Sequence, residues 1–239
     1  MIKRVLASGV LVLVVAGVAV ADPTLTIKRI TEYYSGDGGE FTIASGLSTD
    51  AYDPSAKNKD GNANTKDFQS FCIEKNEYVT MGGTYYYTIS TDAIAGGVGG
   101  ASGGKDPLSY YTAYLYNEFA TGSLSSYSYG TDRSSSAGEL QEAIWYLENE
   151  VAAADGQAAT WVQEAVNAVG VSLPGYTASG TATWGQTLGS VRVLNLYTKD
   201  ASGKITNCQS QLYVVPLPGA VLLGLLGLGY AGRRLRKMA

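Results

Sequence analysis

Two residues stand in settings where their chemistry could matter: Cys72, in Phe68-Gln69-Ser70-Phe71-Cys72-Ile73-Glu74, and Gln141, in Leu140-Gln141-Glu142-Ala143-Ile144-Trp145. The chain has no histidine, which excludes Ser-His triads and His-ligated metals. Cys72 is flanked by apolar residues, the usual setting of a cysteine that serves as a small buried hydrophobe. Its alternative fate is a disulfide with Cys208, the only other cysteine. Gln141 is expected in the first turn of a helix at the edge of its apolar stripe, about 100° around the axis from Leu140, where its amide meets something at the margin of the core. A glycosidase-like carboxylate pair would have to be Glu74 with Glu77 or Glu148 with Glu150. Neither pair carries a motif, and solvated faces explain them more simply.

The elements that must position these residues are legible in outline. Ser136 with Glu139, ahead of an apolar run, is a capping-box pattern that predicts a helix start. Leu140, Ala143, Ile144, Leu147 and Val151 recur at helical spacing and form its buried stripe. Phe68 to Tyr78 reads as a strand carrying Cys72, with Thr84 to Ile89 as its hairpin partner across Met81-Gly82-Gly83.

Together the two segments resemble the thioester domain of bacterial surface adhesins. That family has an aromatic-Cys-aliphatic motif and an apolar-Gln-any-apolar-apolar motif, matched here by Phe71-Cys72-Ile73 and by Leu140-Gln141-Glu142-Ala143-Ile144. The resemblance implies a bond between the Cys72 sulfur and the Gln141 side-chain carbonyl, with loss of ammonia. It also implies later displacement of the sulfur by a partner's amine. Such a protein is not an enzyme in the turnover sense, because the acylated product stays attached, and no cofactor is implied. A helix N-terminus near the pair is expected to lower the Cys72 pKa and to donate N–H groups to the carbonyl oxygen.

Both ends read as targeting segments. Lys3 and Arg4, the apolar run from Val5 to Val20 and Ala19-Val20-Ala21 form an export signal, with cleavage expected between Ala21 and Asp22. At the far end, Pro216-Leu217-Pro218, a Gly-rich apolar run, and Arg233, Arg234 and Arg236 resemble the PEP-CTERM sorting signal of Gram-negative bacteria. The departure from Pro-Glu-Pro bears on whether the site is processed. The run is short against the roughly 20 residues of a comfortable span, and its basic end is expected on the cytoplasmic side. This resemblance implies an exosortase-type processing enzyme, transient inner-membrane anchoring, and a final place on the cell surface or in the extracellular matrix. The alternative is a plain C-terminal membrane anchor.

The chain thus divides into 1–21, signal peptide; 22–213, the exported thioester-type domain; and 214–239, the sorting segment. Six of the 17 basic residues lie in the two end segments, leaving 11 against 21 acidic residues, a body near −10. That balance disfavours nucleic acid and anionic lipid as partners.

Within the body, Thr24 to Ile30 and Glu40 to Ala44 alternate as half-buried strands around the Ser35-to-Gly39 turn. The polar 48–66 stretch has Asp/Asn spacing but not the EF-hand order, so a loop is expected there rather than a Ca²⁺ site. Gly96 to Gly104 reads as a flexible linker. Asp106-Pro107 reads as the cap of a helix buried through Leu108, Tyr111, Leu115 and Phe119. The Ser/Tyr-rich 123–135 loop suits a recognition surface. A further helix is expected from Ala158 to Val169 with Gly170 as its stop, and closing strands at Val191 to Tyr197 and Gln211 to Val215. The expected fold is α+β: a β-sandwich or barrel with a helical insertion of three helices, plus the two terminal targeting segments.

The function expected is that of an exported adhesion protein capturing an amine-bearing surface protein or matrix polymer. The alternative is a non-covalent binder of matrix or exopolysaccharide, with Cys72 inert or disulfide-bonded.

Overall fold

The structure is a computed structural model that describes residues 22–45, 47, 67–94, 96–130 and 133–216. The signal segment with Ala21, the 48–66 stretch, and Pro218, Arg233, Arg234 and Arg236 lie outside the described residues. Among the described residues no helix is long and apolar enough to cross a membrane.

In chain order the elements are β1 (Thr24–Lys28), β2 (Tyr34–Ser35), β3 (Gly38–Gly39), β4 (Phe41–Ser45), β5 (Asp67–Ser70), β6 (Thr84–Ser90), β7 (Asp92–Ile94) and β8 (Lys105–Pro107). Three helices follow, α1 (Tyr110–Ala120), α2 (Ser134–Leu147) and α3 (Gly156–Val169), then β9 (Val191–Lys199), β10 (Ile205–Asn207) and β11 (Gln211–Val214). The fold is mixed α+β, a nearly closed, barrel-like sheet carrying the three helices.

The main sheet runs β10-β9-β6-β1-β4-β5, and β11 also pairs with β9. The chain just after β5 returns to β11: Cys72 bridges Gln211, Leu212 N–H donates to the Phe71 carbonyl at 3.0 Å, and Ile73 N–H donates to the Ser210 carbonyl at 3.2 Å. Cys72 therefore lies on the seam that nearly closes the sheet. This corrects the expected hairpin. The strand before Cys72 is short, ends at Ser70 and pairs with β4, and Cys72 itself bridges Gln211, whereas Thr84–Ser90 pairs with β1 and β9. The turn itself forms, with Gly83 N–H donating to the Thr80 carbonyl at 3.0 Å, but the segments on its two sides pair elsewhere, because hydrophobic alternation sets which faces meet and not which strand is the neighbour.

Two apolar clusters share that seam. Leu25, Ile27, Phe41, Ile43, Phe68, Cys72, Tyr85, Leu194, Leu196 and Tyr213 fill the barrel side, together with Trp145 from α2. Phe71, Ile73, Val191, Val193 and Leu212 join the helices on the other side, around fully buried Trp161. Alternation along an extended segment explains the split, since Phe71 and Ile73 face opposite to Cys72.

Helix ends depart from the sequence reading in an informative way. α2 starts at Ser134 with Arg133 as its N-cap and no side-chain cap. Ser136 instead accepts from Ser128 N–H at 3.1 Å, and Glu139 caps the neighbouring helix by accepting from Ala158 N–H at 3.1 Å. α1 is capped by Ser109, whose hydroxyl accepts from Thr112 N–H, while Asp106 and Pro107 belong to β8. α3 ends as expected at Gly170, in the left-handed conformation with φ 79°.

Candidate functional site

Cys72 and Gln141, 69 residues apart, meet in the interior, and both are fully buried. The Cys72 thiol donates to Gln141 Oε1 at 3.3 Å, and the Cys72 backbone N–H points at the same oxygen, also at 3.3 Å. Gln141 Nε2 donates to the Cys72 carbonyl at 2.8 Å. The whole amide is thus clamped on one residue, which satisfies a polar group that burial would otherwise penalise.

Gln141 stands in the middle of α2, and not in its first turn. Ala137, Gln141 and Trp145 form one row at i, i+4 and i+8, all buried, of which Gln141 and Trp145 meet the Cys72 side, while Leu140, Ala143, Ile144 and Leu147 face the helical core. A mid-helix position puts no helix N-terminus at the pair. The donor to the carbonyl oxygen is instead Cys72's own N–H. The expected lowering of the Cys72 pKa is also reversed: burial pushes the thiol well up, and the nearby Glu74 charge pushes it further. Opposing this, the Trp145 indole N–H, buried without a well-formed hydrogen bond, favours the thiolate, as does the positive charge of Arg29.

The β2–β3 turn covers the pair from outside. A Cβ on Gly38 would lie 2.8 Å from Gln141 Cγ and 3.3 Å from the tip of the Trp145 ring, so only glycine allows this approach. On the other side of the contact, Gly138 of α2 leaves room for Ser35, whose Cβ would lie 2.9 Å from an added methyl.

Cys208 is a half-buried free thiol, and Cys72 is free as well. The Cys72 sulfur meets Gln141, not Cys208, which contacts the Thr206 carbonyl at 3.7 Å.

The carboxylates read as solvated faces are mostly interior. Glu74, Glu148 and Glu150 are buried, whereas Glu77 is half-buried. Glu150 accepts from the N–H groups of Lys75 (2.7 Å), Val98 (2.9 Å) and Gly99 (2.8 Å), tying the segment after Cys72 to the glycine-rich turn. That turn is therefore a bound structure and not a linker. Glu74 accepts from Ser210 N–H at 3.1 Å across the seam, and burial with its neighbour Glu77 pushes its pKa up to about 8. Among the described residues no three such groups converge as metal ligands.

A second buried assembly was not legible in the sequence. Arg133 pairs with Glu40, Tyr127 donates to the same carboxylate, and the guanidinium lies 3.7 Å from the centroid of the Tyr33 ring. It ties the strand region to the start of α2. It also removes Tyr127 from the expected recognition surface, since that ring packs against Phe119, Tyr129 and Trp161. Asp22 pairs with Lys199 at the surface, and Pro216 is half-buried after β11. Compared with family models, with curated proteins and with solved structures, the chain matches none.

Proposed function

We propose that this chain is an exported cell-surface protein that forms an internal Cys72–Gln141 thioester and uses it to attach covalently to an amine on a partner. The observation that carries this reading is the buried contact of 3.3 Å between the Cys72 thiol and the Gln141 side-chain oxygen, made by two residues distant in sequence. Holding the two groups at that range gives the acyl transfer between them a high effective molarity.

The step is balanced without a co-reactant. The Cys72 sulfur attacks the Gln141 carbonyl carbon, the thiol proton passes to the amide nitrogen, and ammonia leaves. Charge developing on Oε1 is met by the Cys72 N–H already directed at it. A primary amine then attacks the same carbon, the sulfur departs and takes up the amine's proton, and a stable amide remains.

Export and sorting through the terminal segments would place this reaction outside the cell, with an exosortase-type enzyme as processing partner. The acceptor would be an amine-bearing surface protein or matrix polymer.

The test is the intact mass of the purified, unreduced protein before and after methylamine. A deficit of one ammonia, turned by methylamine into a net gain of one CH2 over the unreacted chain and mapped to Cys72 and Gln141, is the expected result. A deficit of two hydrogens reversed by reductant would replace the reading with a Cys72–Cys208 disulfide. An unaltered mass would leave a non-covalent binding protein.

A further inference from the structure

Directly outside the Gly38 and Trp145 wall lies a cavity of about 510 Å³, bounded by Asp37, Gly38, Lys75, Glu139, Glu142 and Trp145 among others. Gly38 and Trp145 are the same two residues whose inner sides touch or adjoin Gln141. Gly38 and Trp145 therefore belong both to the cavity wall and to the surroundings of Gln141. Trp145 is only 9 % exposed, and its indole N–H has no well-formed hydrogen bond. The Lys75 ammonium lies 5.5 Å from the centroid of the Trp145 ring, so this wall already accommodates an alkylammonium. Around it stand three carboxylates, Asp37, Glu139 and Glu142, against the one ammonium. Among the described residues a second nearby cation, Arg29, does not line the cavity; it donates to the Asp37 carbonyl at 2.6 Å, its charge also acts on the Asp37 carboxylate, and it lies over the rings of Tyr34 and Phe41.

We propose that this cavity is the vestibule through which the acceptor reaches Gln141, and that it selects slender cationic alkyl amines over neutral or anionic ones. The proposal rests on the thioester reading and specifies its acceptor. An ammonium-bearing chain enters between the β2–β3 turn and α2, is drawn in by the carboxylates, and lies along the indole face. Its primary amine, once deprotonated, attacks past the Gly38 edge. An anionic chain meets like charge, and a bulky one meets the turn.

The experiment compares three probes of equal length on the full-chain protein: 1,5-diaminopentane, 5-amino-1-pentanol and 5-aminopentanoate. Uptake is followed by intact mass, at low salt and at about 1 M salt. The expected result is that the diamine reacts fastest, beyond the doubling its second amine brings, and the amino acid slowest, with about tenfold between the two ends. High salt, or the Asp37→Asn, Glu142→Gln double variant, compresses that spread toward unity. Equal rates for the three probes, or a spread that neither salt nor the double variant reduces, overturns the vestibule. Salt decides whether the spread is electrostatic, and the single variants Asp37→Asn and Glu142→Gln, which leave the rest of the acidic surface in place, decide whether the cavity is its source even where the double variant fails to fold. A starting mass without the ammonia deficit overturns the thioester reading itself, and the vestibule falls with it. A deficit without discrimination among probes overturns the vestibule alone.

Discussion

Gln141 directs both ends of its amide at one residue, Cys72, and this makes its removal costly in two ways. Gln141→Ala leaves a buried N–H and a buried carbonyl unpaired and opens a small void, so a loss of about 2 to 4 kcal/mol is expected in urea denaturation. The same variant should show neither the ammonia deficit nor methylamine uptake, which intact mass reads directly. Trp145 is a residue that sequence reasoning passed over, although its i+4 spacing from Gln141 on one helix row was a usable signal. Its indole N–H favours negative charge on a sulfur that burial otherwise keeps protonated. Trp145→Phe keeps an aromatic ring and deletes that donor. Methylamine uptake should slow by about tenfold, because the departing sulfur loses a stabilising donor. An unaltered rate would make the indole simple packing.

At the scale of elements, the site is held by contacts between segments that have little sequence in common. The β2–β3 turn sits on α2 only because Gly38 and Gly138 lack side chains at the crossing. Gly38→Ala forces either Gln141 or the turn to move. It should cost about 1 to 3 kcal/mol by overpacking and, more tellingly, reduce the fraction of molecules with the ammonia deficit. The start of α2 is fastened by Arg133 to Glu40, both fully out of solvent. Arg133→Met strands a buried carboxylate, and a loss of about 3 to 5 kcal/mol is expected by chemical denaturation. Replacing Glu40 by Leu in the same chain should recover part of that loss, since an apolar pair avoids the uncompensated charge while the buried Tyr127 hydroxyl loses its acceptor.

At the scale of the whole molecule, several interior carboxyl groups give stability a definite pH dependence. Glu74 is pushed up to about 8, chiefly by burial and then by Glu77. Glu148 is pushed up to about 7, chiefly by burial, and Glu77 to about 7, by burial and then Glu150. A carboxyl whose folded pKa lies above its unfolded value binds more protons when folded. Its contribution is therefore full below about pH 4.5 and is lost as pH rises through 7 to 8. The urea midpoint should fall between pH 5 and pH 9, and Glu74→Gln should flatten the upper part of that fall. A midpoint that rises over this range would contradict the burial of these groups. Much of this architecture was local enough to read in advance. The alternation read at Thr24 to Ile30, the run Val191 to Tyr197, the apolar stripe of α2 and the Gly170 stop follow from side-chain periodicity and backbone freedom, which are properties of short segments. The Cys72 and Gln141 motifs were likewise visible as residue types in their settings. Which strand neighbours Cys72, where α2 begins, the burial of Glu74, Glu148 and Glu150, and the closure of Gly38 over Gln141 were decided only by tertiary structure. Each depends on partners brought together across long stretches of chain, where burial and hydrogen-bond satisfaction outweigh local preference.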